Sequence, residues 1–130
     1  MPDDDTPVEE GRTPMSPVLE RKLLGLIGLG VRGRGVVVGV ERVRDAAKRG
    51  FVRLAVVAPD ASRHSLDKVV PLLQARGIRI IDGPSAAALG AAVGREATAA
   101  IGITDPSLAA GVRKLFDAPE VRDTGSERTR

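Results

Sequence analysis

Apolar residues fall at helical spacing from Val18 through Leu19, Leu23, Leu24, Leu26 and Ile27, behind Ser16-Pro17. That combination predicts a capped helix with proline at its first position, ending in the glycines from Gly28 onward. Val36-Val37-Val38 then reads as a short buried strand broken by Gly39. Glu41 to Arg49, with Val43, Ala46 and Ala47 facing inward, reads as a helix closed by Gly50. The cycle repeats. Phe51 to Ala58 is a β-branched run, Ser62 caps a helix reaching Arg76, and Ile78 to Asp82 is a strand. Ser85 opens a small-residue helix to Val93, Thr98 to Ile103 is a last strand, and Asp105-Pro106 starts a helix through Leu115. Strands alternating with helices over short loops predict an α/β fold, a sheet covered by helices on both faces. Pro71 interrupts the third helix pattern, yet Val69, Val70, Leu72 and Leu73 continue its apolar stripe on either side.

The ends of the chain lack such periodicity. Residues 1–15 hold five acids against Arg12, with three prolines, and read as a disordered acidic arm; residues 117–130 carry four acids against three arginines and read as a disordered tail. The formal net charge of +3 therefore conceals a domain, residues 16–116, with 16 basic against 8 acidic residues. Seven of those bases (Arg32, Arg34, Arg42, Arg44, Lys48, Arg49 and Arg53) lie between residues 32 and 53, against Glu41 and Asp45 only. Such a concentration points to a polyanionic partner. Arginine grips phosphate or a guanine edge bidentately, which favours nucleic acid over a generic acidic protein. Gly39 sets the start of the second helix at a strand end, where free amides and the positive dipole end meet an approaching phosphate.

Composition narrows the chemistry further. With no Cys and a single His, His64, neither a cysteine- nor a histidine-based metal site is expected, nor a disulfide. Two Phe, no Tyr and no Trp argue against reading bases on a sheet of aromatics. Gly28-Leu29-Gly30-Val31-Arg32-Gly33 spells G-x-G-x-x-G, but a helix pattern precedes it and a strand follows, the reverse of a dinucleotide-binding turn. It reads as a flexible basic connection whose Arg32 and Arg34 can approach a phosphate. Asp60, Ser62, His64 and Ser65 are the residue types of a hydrolytic triad, crowded into six positions that one turn cannot bring to working geometry. Nor does the first strand end in the acids that a magnesium-dependent phospho-acceptor at Asp60 requires. No catalytic site, cofactor or small-molecule substrate is expected. No apolar run reaches the ~20 residues of a membrane span, and an acidic start is unlike a secretory signal, so the cytoplasm is the expected compartment.

In order along the chain, several segments resemble the ribosomal protein L-seven-Ae / L-thirty-e superfamily, most closely its small bacterial members. Leu23-Leu24-Gly25-Leu26 is similar to the family's opening helix, and Gly39-Val40-Glu41-Arg42-Val43 to the glycine-led start of its RNA-contacting helix. Leu54 to Asp60 resembles its central strand with the following A-x-D. Val70-Pro71-Leu72-Leu73 resembles its proline-bearing helix, and residues 89–95 the L-G-x-A-x-G segment before a second RNA-facing loop. Gly102-Ile103-Thr104-Asp105-Pro106 is similar to the ending of the bacterial members. The resemblance implies a three-layer α/β/α sandwich with a mixed sheet of about four strands, binding structured RNA such as a kink-turn or ribosomal RNA. It implies one wall of Arg32, Arg34, Gly39, Glu41, Arg42, Arg44 and Lys48, and a facing wall of Arg95, Glu96, Ala97, Thr98 and Ala99. Where the best-known members carry an Asn-Glu pair and a Lys, this sequence holds Glu41, Arg42 and Asp45. A group that donates and accepts toward sheared G·A pairs becomes acceptor-only, and a phosphate-seeking charge is reversed. Arg42, Arg44 and Arg95 are the candidates for substitute contacts. The alternative is a protein-interaction module on the same fold.

Overall fold

A computed structural model describes residues 15–117. The acidic arm up to residue 14, and the tail beyond residue 117, lie outside the described residues. Ser16 caps the first helix, α1 (Pro17–Arg32), its hydroxyl accepting from the Leu19 amide at 3.1 Å. The helix does not stop at Gly28. It continues for another turn, and at Gly30 packing explains why a glycine is tolerated despite costing about 1 kcal/mol relative to alanine. A Cβ at Gly30 would stand 2.5 Å from Leu108 Cδ2 and 2.8 Å from Val36 Cγ1, so the bare backbone lets two other elements close on the helix. The G-x-G-x-x-G stretch is thus mostly helix, not a flexible connection.

From there follow β1 (Val36–Val38), α2 (Val40–Lys48), β2 (Leu54–Val57), α3 (Arg63–Ala75), β3 (Ile80–Asp82), α4 (Ala86–Val93), β4 (Ala100–Ile103) and α5 (Pro106–Asp117). The strand order is β1-β4-β2-β3. β4 runs antiparallel to both its neighbours, with Val38 opposite Ile101 on one side and Val57 opposite Ala100 on the other, while β2 and β3 pair in parallel through the α3 crossover. The sheet is therefore mixed. Successive side chains of a strand point to opposite faces, and both faces are covered here. Leu54, Val56, Ile101 and Ile103 pack with Leu23, Ile27, Leu89 and Val112 of α1, α4 and α5; Ala55, Val57 and Ala100 pack with Val43, Ala47, Val69 and Leu73 of α2 and α3. The result is a three-layer α/β/α sandwich, as the alternation of elements predicts.

Three strands are shorter than the runs that predict them, and the strand expected from Ile78 begins only at Ile80 because the Ile78 amide donates to the Leu73 carbonyl at 3.0 Å and closes α3. Phe51 donates its amide to the Ala46 carbonyl at 2.9 Å, closing α2 instead of opening β2. Thr98 donates to the Ala86 carbonyl at 3.0 Å, which holds the chain against α4 and delays β4 to Ala100. Pro71 stays inside α3 without ending it. Proline removes one i to i−4 bond, and both Pro71 and Asp67, whose carbonyl loses its partner, are exposed.

Candidate nucleic-acid interface

Gly39 is the pivot of the site. It adopts φ +100°, a region that side-chain-bearing residues avoid, and so turns β1 directly into α2. Its amide donates to the Ala100 carbonyl at 2.9 Å. The start of α2 is thereby fixed beside the segment that enters β4, and the Ala58 amide holds that segment from the other side through the Ala99 carbonyl at 2.9 Å. Residues 95–99 are the candidate second wall: they lead into β4 at the position bonded to the start of α2, whose amides have no side-chain cap. A third contact sets the wall's depth. A Cβ on Gly90 would lie 2.7 Å from the Ala97 nitrogen and 2.8 Å from its Cα, so only glycine lets this backbone lie on α4.

Side chains divide the predicted residues into two groups. Arg42, Arg95, Glu96 and Ala97 are exposed at this pole, with Ala99 partly buried behind them. Arg42 and Arg95 make no side-chain hydrogen bond or ion pair with another described residue. Glu41 is exposed but engaged. Its carboxylate accepts from Lys68 Nζ of α3 at 3.0 Å, and that ammonium, with smaller help from Arg44 and Lys48, holds the Glu41 carboxyl below the usual range. Glu41 therefore remains an ionised acceptor near neutral pH. Arg44 points to the same side: its guanidinium lies 3.9 Å from the Glu41 carboxylate and donates to the Lys68 carbonyl at 2.7 Å, which ties α2 to α3. Thr98 is 4% exposed, and its hydroxyl finds no partner among the described residues.

Arg32, Arg34 and Lys48 do not join this wall. Arg32 ends α1 and Arg34 precedes β1, so three strand residues, roughly 10 Å at 3.3 Å each, separate them from Gly39. Lys48 closes α2, about 12 Å of helix rise from its first residue. A contiguous basic segment is split between two poles because β1 and α2 each carry the chain across the molecule. Two contributors escape a reading of the sequence. Lys68 reaches the site only through the packing of α3 on α2, and nothing in its local spacing signals it. Phe51, one of only two aromatic residues in the sequence, is 55% exposed.

The hydrolytic set at 60–65 is structural. Asp60 Oδ1 accepts from the Ala86 amide at 2.8 Å at the start of α4, Ser62 caps α3 through the Ser65 amide at 3.1 Å, and His64 is exposed. Among the described residues, no group of three or more His, Cys, Asp or Glu side chains could hold a metal ion, and no helix is long and apolar enough to cross a membrane.

The described residues thus define a three-layer α/β/α sandwich on a mixed four-stranded sheet, with an uncapped helix start beside the entry to one central strand. Residues 21–111 match the Ribosomal protein L7Ae/L30e/S12e/Gadd45 family, and the chain belongs to that family. Among solved structures, a protein of unknown function from Bacillus halodurans is 29% identical, with a TM-score of 0.68; the match covers 74% of this chain and 97% of that one. The Giardia lamblia 15.5kD RNA binding protein shares the fold at 21% identity and a TM-score of 0.66, over 84% of this chain and 92% of its own. No curated protein matches the chain.

Proposed function

We propose that this chain binds structured RNA without catalysis, gripping it between the start of α2 and residues 95–99. The observation that carries the reading is the Gly39 to Ala100 hydrogen bond, which sets the uncapped start of α2, with the exposed Arg42 in its first turn, beside the entry to β4 that follows the exposed Arg95. Family membership and the RNA-binding neighbour of the same fold support it. Arg42 and Arg95 contact phosphates on the two sides of a groove, the α2 dipole adds to them, and Glu41 accepts from a guanine edge. The small side chains of Ala97 and Ala99 let a widened groove or an extruded base come close. A sharply bent internal loop of the kink-turn type, in ribosomal or another RNA, fits two walls meeting at one helix start.

Titration with a helix–bulge–helix RNA and with a fully paired duplex of equal length tests this. The bulged RNA should bind more tightly, and log K should fall linearly with log salt. Arg42→Glu should weaken binding at least tenfold at low salt. Equal affinity for both RNAs would remove the bent-loop preference, and no binding to either would remove RNA as the ligand.

A further inference from the structure

The second pole carries the one exposed phenyl ring among the described residues. Phe51 sits between Arg49 and Arg53, both exposed, at the far end of α2 from the proposed RNA grip. Its backbone is pinned. The Gly50 and Phe51 amides donate to Ala47 and Ala46 at 3.0 and 2.9 Å; the Arg53 amide donates to Ile103 at 2.7 Å, and the Arg53 carbonyl accepts from Arg113 at 3.1 Å. A ring on so fixed a support costs little further ordering when something stacks on it. From this ring a groove of about 410 Å³ runs along the open edge between β1 and α2, past Arg49, Asp45 and Val37, to Arg42. The two acids along it are engaged, Asp45 with Arg49 at 3.6 Å and Glu41 with Lys68 at 3.0 Å.

We propose that Phe51 is a stacking platform for an unpaired nucleotide, reached by a single strand that leaves the grip at Arg42 and follows this groove. The assignment rests on the RNA-binding reading above and extends it to the flank of the RNA. Charge selects a nucleic acid over a protein as the occupant. The other large exposed apolar side chains among the described residues, Val18 and Leu29, lie on α1 across the sheet, so Phe51 stands alone among arginines and not within an apolar patch. Arg53, whose side chain makes no ion pair with another described residue, neutralises the phosphate beside the stacked base, as in single-strand binders that pair aromatic faces with cations.

The test compares two RNAs: the helix–bulge–helix, and the same RNA with a four-nucleotide single-stranded extension on either strand in turn. One extension should tighten binding by roughly 5- to 150-fold, and Phe51→Ala and Phe51→Leu should both abolish that gain while leaving the unextended RNA bound as before. Because the chain has no Trp or Tyr, Phe51→Trp gives a single fluorophore, which the extended RNA alone should quench. Equal affinity for extended and unextended RNAs, a gain that survives in Phe51→Ala, or an unquenched Trp would overturn the platform and leave the grip standing. An exposed ring needed to capture a protein, with every RNA affinity unchanged by Phe51→Ala, would overturn it in favour of a protein contact. Failure of the wild-type chain to bind either RNA would overturn both readings.

Discussion

Arg34 is the only described non-glycine residue at positive φ, +59°, between Gly33 and Gly35. The left-handed region costs an ordinary residue about 1–2 kcal/mol, and glycine returns part of that through its larger unfolded-state entropy. Arg34→Gly should therefore raise stability by up to about 1 kcal/mol in chemical denaturation, because the exposed side chain makes no hydrogen bond or ion pair with a described residue. Glu41 gives a signature in pH. Its carboxyl is held low by Lys68, so what the pair contributes is fully present above the unfolded carboxylate value and is lost as pH falls through the lower folded one. The Tm of wild type should exceed that of Lys68→Met at pH 7 by a small margin, as expected for an exposed pair, and the two should converge as acid carries the pH below the usual carboxylate range and through the lowered folded value. A difference that persists in acid would assign the Lys68 effect to packing of its aliphatic stem.

Most helices and strands are legible in the residue pattern alone, because each carries its own punctuation. Ser16, Ser62 and Ser85 all act as N-caps, each accepting from the amide three residues on. What local pattern does not supply is where an element stops for a tertiary reason. α1 outruns Gly28 because Gly30 lies under β1 and α5, and β4 starts late because residues 95–99 are laid on α4. The second case bears on the site. Gly90→Ala forces a Cβ into the backbone of residues 96 and 97, and overpacking of this kind costs about 1–3 kcal/mol. RNA affinity should fall with it even though residue 90 is buried and touches no RNA, and Gly90→Ser should fall at least as far. Unchanged affinity in a folded Gly90→Ala protein would separate the loop from the grip.

Across the whole molecule, the amount of basic charge can be counted along the chain but its division cannot. Arg32, Arg34 and Lys48 are neighbours of Arg42 in the chain and lie at the far end of β1 and α2 in space. The same folding sets Arg49, Phe51 and Arg53 at that far end, although composition by itself argues against aromatic stacking. Two poles predict two separable salt terms. For a bulged RNA with a single-stranded flank, the slope of log K against log salt should be steeper than for the unextended RNA, and Arg53→Gln should reduce only the excess.

The Gly39 to Ala100 bond has a consequence for kinetics as well. The start of α2 is hydrogen-bonded to Ala100 of β4, while residues 95–99 run directly into that strand and are held by main-chain bonds to Gly90, Ala86 and Ala58, so neither wall must be ordered when a ligand arrives. Distortion on encounter then falls to the RNA. Association should be a single exponential, fast and steeply slowed by salt, with any slower phase tracking the RNA's own bending and vanishing when the RNA is locked in its bent form.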